Sequence, residues 1–186
     1  TDLLIDNEAI PNDRVFFEKH GKSVRAIVLG HAHLDHIGAV RWLASKYDCP
    51  IIASPYTIRI VEKMAEDGKW QLKNKLVPLN LNSSYKISNN LTVELVYVTH
   101  STLQCAITVI HTPQGAVIYT PDYKLDNSPT VGQKTNMKRL RQLGKEKVAV
   151  LLVDCTRADE EGHTFSEKIA REMLKDVFLS LNDKNH

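Results

Sequence analysis

Long apolar runs are missing from this sequence of 186 residues. None approaches the roughly 18 consecutive apolar residues that a bilayer-spanning helix needs, and no signal-peptide pattern opens the chain. No membrane partner is therefore expected. Cysteine is scarce as well: Cys49, Cys105 and Cys155 are far apart and form no CxxC pair. An odd, unpatterned set argues against a disulfide framework and fits a reducing, cytoplasmic setting, with each thiol read as a small buried apolar group. Charge of one sign is lacking too. The formal net charge is +2, which argues neither for nor against a nucleic-acid partner, because such proteins often bind through a local basic groove. Repeats and low-complexity tracts are absent. A hydrophobic content of 42% with 25% charged residues is ordinary for a globular chain. Its length allows one domain, or one plus a piece of another. The missing initiator Met and the abrupt end at "NDKNH" lead us to expect a fragment of a longer protein.

The apolar pattern reads as α/β. "VRAIVLG" (24–30) is a continuous apolar run closing on a glycine, as in a buried strand. From His36, the residues Ile37, Val40, Leu43, Ala44 and Tyr47 recur at helical spacing. "CPIIAS" (49–54) is a second buried strand, and Ser54 with Pro55 starts a helix running to about Asp67, before Gly68. "LTVELVYVTH" (91–100) alternates, with Val93, Leu95 and Tyr97 on one face. "AITVIHTPQGAVIYTPD" (106–122) is a pair of strands around a Pro-Gln-Gly turn. "VAVLLVD" (148–154) reads as another buried strand ending in an acid. Thr164 and Glu167 form a capping box for a helix from about Phe165, whose apolar face is Ile169, Met173, Leu174, Val177, Phe178 and Leu181. That face is expected to pack on the core or on a second copy, making a homodimer. The element order implies α/β layers with a β-rich middle.

The chemistry concentrates in "LGHAHLDHIG" (29–38). His31, His33, Asp35 and His36 crowd the point where a buried strand gives way to a helix. Alternate residues of an extended segment point the same way, so His31 and His33 can grip one ion together. Imidazole and carboxylate oxygen are the donors that zinc-like metals prefer. A metal site needs more donors than one loop supplies, and the ends of neighbouring strands are where they converge. His100 ends "LVYVTH" and Asp122 ends "AVIYTPD". His31, His33, His100 and Asp122 would make a first site; Asp35 and His36 would make a second, with Asp122 bridging. Two adjacent ions suit hydrolysis of an ester by a metal-held hydroxide, with Asp35, His36 and Asp122 at the catalytic centre. A phosphodiester, a thioester and a lactam all remain open on this evidence. Ser101 and Thr102, beside His100, could donate to a phosphate. His20 reads as a solvated loop residue, His111 as structural or exposed, and His163 and His186 as non-ligands. "KRLRQLGKEK" (138–147) reads as a solvated basic helix face.

The His-x-His-x-Asp-His cluster with a distant His and a distant Asp resembles the signature of the metallo-β-lactamase superfamily. "GHAHLDHIGAV", "THST", "TPDYKLD" and "DCTRADEEGHTFSEKIAREML" are similar to the β-CASP nucleases within it, in particular the archaeal ribonuclease J family. The resemblance covers nearly all of residues 24 to 182, and "YKLD" and "DCTRA" are its most specific parts. It implies an incomplete αββα sandwich over 1–154 that lacks its N-terminal strands. Residues 155–186 would be the entry segment and first helix of a largely missing β-CASP domain. It further implies 5′-to-3′ exoribonuclease activity on RNA, with endonuclease activity as an addition, and up to two zinc ions, with manganese as a substitute. His31, His33 and His100 would bind one ion, Asp35 and His36 the other, and Asp122 both. Asp154 matches an acid that orders such sites from behind a ligand. An acid normally buttresses the motif from the preceding strands; Asp2 or Asp6 would be its remnant near that region. The β-CASP domain normally adds a histidine to the second ion, so that site is expected to be short of ligands and the fragment weak or inactive. A two-zinc hydrolase of thioesters or small esters is the alternative, and a non-catalytic relative the third reading.

Overall fold

A computed structural model describes Ile5, Ile10 and residues 12–182. Asp2, Asp6 and His186 lie outside the described residues. The first element with described bounds is helix α1 (Arg14–His20), so His20 closes a helix rather than lying in a loop. It is tied to the domain through Asp13, whose carboxylate accepts from Lys46 Nζ (2.6 Å) and the Tyr47 hydroxyl (2.8 Å).

The run at 24–30 forms strand β1 (Ile27–Leu29). The single helix expected from His36 is instead split into α2 (Leu34–Ile37) and α3 (Val40–Leu43), followed by a 3-10 turn at Ala44–Lys46. Gly38 sits at the break, where a Cβ would collide with the Leu34 carbonyl oxygen. Strand β2 (Ile51–Ala53) is wholly buried, and α4 (Pro55–Asp67) starts where predicted, with Ser54 Oγ accepting from Thr57 N. Strand β3 (Leu76–Pro78) completes a parallel sheet in the order β1-β2-β3.

A second sheet holds β4 (Ser83–Lys86), β5 (Thr92–Tyr97), β6 (Ala106–Thr112), β7 (Gly115–Tyr119) and, after helix α5 (Met137–Leu143), β8 (Val148–Leu152), in that order. All pairs are antiparallel except β7–β8. The predicted β6–β7 hairpin is present; its turn closes when Thr112 Oγ1 donates to Gly115 O at 2.7 Å. Strand β5 is buried on both faces rather than one, because core lies on each side of its sheet.

Three apolar clusters define the layers. Ile37, Val40, Ala44, Ile58 and Val61 pack the helices onto Leu29, Ile51 and Ala53 of the first sheet. Ile52 and Val77 of that sheet meet Val93, Leu95 and Ala106 of the second. Val96, Ile107, Val109 and Ile118 on the far face meet Leu143 and Leu140 of α5. The order helix, sheet, sheet, helix is the αββα sandwich expected from the sequence.

At the C-terminal end the structure departs from the sequence reading. Strand β8 is paired to β7 but not buried: Leu151 is 58% exposed, because β8 is the edge of its sheet and nothing among the described residues covers it. Helix α6 (Glu167–Asn182) does not lay its apolar face on the core either; Met173 is 61% exposed, and Ile169, Leu174, Val177, Phe178 and Leu181 are exposed too. The Thr164–Glu167 capping box is also replaced. Glu167 N donates to Asp126 Oδ2 (2.7 Å) instead, and the Glu167 carboxylate accepts from Thr130 N (2.8 Å).

Candidate metal centre

Close backbone contacts between the two sheets build the site. Gly30 O, just past β1, accepts from Ala106 N at 2.9 Å, so the histidine-rich segment starts against the first residue of β6. Gly30 is buried, and a Cβ there would lie 2.9 Å from Pro121 Cγ. Only glycine lets the segment lie this close to the strand end that carries Asp122. His31 and His33 extend from that point, and Asp35 and His36 sit in the first turn of α2. On the other sheet, Thr99 and Lys124 form an isolated antiparallel bridge, with Lys124 N donating to Thr99 O at 2.8 Å. This bridge sets His100 beside Asp122. The Cys105 thiol donates to Asp122 O at 3.4 Å from beneath. Thr99 is held in turn by Thr135, whose Oγ1 accepts from Thr99 N at 3.1 Å.

Two groups of donors result. His31, His33, His100 and Asp122 form one, and Asp35, His36 and Asp122 the other; within each group one ligand atom per residue lies within 4.8 Å of every other. His33 Nδ1 is 3.2 Å from His31 Nε2 and 3.1 Å from His100 Nε2. Asp122 divides its carboxylate: Oδ2 faces His31 Nε2 (3.8 Å) and His100 Nε2 (3.6 Å), while Oδ1 faces His36 Nε2 (3.4 Å). Asp35 Oδ2 is 3.4 Å from His36 Nε2, and its side chain is 73% exposed, so the second group opens to solvent. The six residues picked from the sequence as ligands are thus brought together. Ser101 is exposed and Thr102 half-buried in the turn after His100, and neither lines the cavity beside the cluster.

The electrostatics favour lone pairs over protons. His31 is fully buried, and burial, helped by His36, His100 and His33, pushes its imidazole down from 6.5 to about 4. Burial, then His33, lowers His100 in the same direction. At neutral pH both rings are neutral, which is the form that ligates a metal. His33 Nδ1 lies within one hydrogen-bond length of two other ring nitrogens. A tautomer can place a proton between some pairs only, whereas a borderline divalent cation accepts a lone pair from each. The donor set therefore fits a zinc-type ion. His31 Nδ1, the nitrogen facing away from the cluster, is buried with no hydrogen-bond partner among the described residues.

A cavity of about 880 Å³ adjoins the cluster; His100 and Asp122 form its floor, and Lys124, Asp154, Arg157 and His163 lie further along its walls. Asp154 also lines it; its Oδ1 accepts from Thr156 N at 3.0 Å and from the Thr156 hydroxyl, not from a histidine of the cluster. Those bonds, the hydroxyl first, hold its carboxyl below the usual range.

A second polar cluster went unread in the sequence. Glu94 on β5 takes a bidentate contact from Arg139 (2.6 and 2.9 Å) and a third from His111 Nε2 (2.7 Å). Arg139 belongs to the basic stretch taken as solvated, yet it is largely covered. The one signal was a glutamate on the buried face of an apolar strand.

Residues 8–177 match the family model described as the beta-lactamase superfamily domain. The chain belongs to that superfamily, and the paired donor groups lie where its layered fold brings strand ends together. Among its curated relatives, it is 40% identical over 184 residues to ribonuclease J of Methanocaldococcus jannaschii, covering 98% of this chain and 41% of the relative. It is 46% identical over 173 residues to ribonuclease J of Pyrococcus abyssi, covering 92% and 38%. Ribonuclease J 1 of Streptococcus pyogenes is 33% identical over 184 residues, with coverage of 98% and 32%. The chain thus spans about two fifths of the length of the first two.

Proposed function

We propose that this chain carries the metal centre of a longer ribonuclease that hydrolyses RNA phosphodiesters from the 5′ end, with internal cleavage as an additional activity. The single observation behind this is Asp122, one carboxylate facing two donor groups. The identity to proteins named ribonuclease J supports RNA as the substrate. Zinc is the ion we assign, with manganese as a substitute, because three imidazoles and a carboxylate suit borderline cations. When bound, a metal pair would supply Lewis-acid activation of water and of the phosphodiester at neutral pH. His31, His33 and His100 hold one position through ring nitrogens. Asp35 and His36 hold the other, and Asp122 keeps the two in register. Asp154 orders the cavity beside His100; Ser101 and Thr102, in the turn after His100 but outside that cavity, would reach a phosphate only from its rim. Residues 1–154 form the β-lactamase-type domain, and 155–186 lead into a further domain. The three free cysteines fit a cytoplasmic location.

The test uses the full-length protein with 5′-monophosphorylated RNA and a small thioester in parallel. Release of 5′-mononucleotides, abolished by His33→Ala, is expected. Cleavage of the thioester with the RNA left intact would replace this reading by that of a thioesterase. This chain alone is expected to degrade RNA weakly, because the second donor group offers only three protein ligands and is open to solvent.

A further inference from the structure

"YKLD" (123–126), just after Asp122, and "GHTFSEKIA" (162–170), which runs into α6, meet in the structure. Asp126 is the hub. Its side chain is 1% exposed, and its carboxylate accepts from Ser128 N (2.8 Å), Ser166 Oγ (2.7 Å) and Glu167 N (2.7 Å). Lys124 Nζ lies 3.6 Å from Asp126 and donates to Phe165 O at 2.6 Å. Thr130 N adds a bond to the Glu167 carboxylate. Since the apolar face of α6 packs against nothing among the described residues, these polar bonds are what fix the helix's start.

The preceding segment is pinned at its other end as well. Asp154 N donates to Thr120 Oγ1 (3.0 Å), and Thr120 N donates to Leu152 O (2.9 Å). Residues 155–164 run between these two anchors as exposed turns, and Cys155, Thr156, Arg157, Gly162, His163 and Thr164 form one wall of the cavity beside the metal donors. Both anchors belong to one stretch, 120–126. Thr120 holds the wall's beginning, Lys124 and Asp126 hold its end, and Asp122 sits between them.

We propose that Lys124, Asp126, Ser166 and Glu167 form a latch that holds residues 155–164 as a wall of the substrate cleft, in register with Asp122. Asp126 and Lys124 are positioning residues: their polar atoms are spent on Ser166, Glu167 and Phe165. The wall contributes the guanidinium of Arg157, which Glu160 approaches at 3.4 Å, and the ring of His163, hydrogen-bonding groups suited to the phosphates of a single RNA strand. The substrate half of this inference rests on the ribonuclease reading; the latch half rests on the contacts alone.

The test compares this chain with its Asp126→Asn and Ser166→Ala variants in three measurements. Amide exchange at Glu167 and Ile169 should rise at least tenfold in Asp126→Asn and severalfold in Ser166→Ala. Zinc affinity, read by chelator competition, should stay within threefold. Affinity for a fluorescent 5′-phosphorylated RNA decamer, with zinc present, should fall at least tenfold in Asp126→Asn. A merely structural role would lower zinc and RNA affinity together, and that outcome overturns the proposal. Unchanged exchange at 167–169 overturns the latch, and unchanged RNA affinity despite faster exchange overturns its role in the cleft. If the unsubstituted chain binds no RNA, the substrate half fails with the ribonuclease reading, and the exchange rates decide the latch. If Asp126→Asn does not fold, the milder Ser166→Ala decides by the same criteria.

Discussion

Zinc should raise the melting temperature of this chain, and the size of the rise can be worked out. A ligand that binds only the folded state, present freely at one hundred times its dissociation constant, stabilises by about 2.7 kcal/mol. A chain of 186 residues has an unfolding entropy of about 0.4 kcal/mol per kelvin near its midpoint. The expected shift is therefore about 7 °C. His33 is the sharpest perturbation, because its Nδ1 meets both His31 Nε2 (3.2 Å) and His100 Nε2 (3.1 Å). If His33→Ala weakens zinc binding about a hundredfold, roughly 2.7 kcal/mol, the same free zinc only equals the new dissociation constant. The shift then falls to about 1 °C. The assay is differential scanning calorimetry with buffered zinc, the dissociation constant coming from chelator competition. The pH dependence has a sign. Zinc needs deprotonated imidazoles, and burial with its neighbours holds His31 at about 4 and lowers His100. These two rings still offer lone pairs at pH 6, so the shift should survive from pH 8 to 6 better than ordinary histidines allow. An equal shift in His33→Ala, or none in the unsubstituted chain, would refute the assignment of this cluster to a metal.

Three further outcomes follow from other contacts. Glu94→Gln removes the anion that Arg139 and His111 share at a side chain only 10% exposed; it should cost about 2–3 kcal/mol in urea unfolding, below the range for a fully buried pair because its partners are partly solvated. Gly30→Ala places a Cβ 2.9 Å from Pro121 Cγ; overpacking of about 1–3 kcal/mol and weaker zinc binding are expected, while an unchanged zinc affinity would show that Asp122 does not depend on this approach. Burial pushes the Asp126 carboxyl up, but bonds from Glu167 N, Ser128 N and Ser166, with Lys124 nearby, outweigh it and hold it at about 2. Its folded value lies below the unfolded one of 3.8, so its stabilisation is complete above that pH and is lost as pH falls towards 2. Asp126→Asn should therefore flatten the acid limb of unfolding between pH 4 and 2, measured by circular dichroism.

The parts legible in the sequence are those whose cause is local. The run at 27–29, the Ser54-Pro55 start of α4 and the Thr112–Gly115 turn each carry their reason within a few residues. The grouping of six metal-type side chains was legible because such side chains are unusual at strand ends, although His33 and His100 are 67 residues apart. What stayed hidden depends on distant partners. Glu94 and Arg139 look like a stray acid and one of many bases until β5 and α5 are stacked. Thr164 and Glu167 match a capping box, but Asp126, some 40 residues earlier, reaches the same amide first. "VAVLLVD" has the composition of a buried strand, and composition does not say whether a sheet continues beyond it.

The open edge of β8 has a practical consequence for handling the chain. Among the described residues its outer row of backbone N–H and C=O groups has no strand partner, and Val150, Leu151 and Leu152 beside it are half-exposed. Such an edge templates strand addition, so self-association should grow with concentration and with sulfate-type salts, which strengthen apolar contact. Leu151→Lys, at the most exposed of the large apolar residues of β8, would blunt the edge about 30 residues in sequence from the nearest metal-type donor, Asp122, and keep the measurements above those of a single molecule.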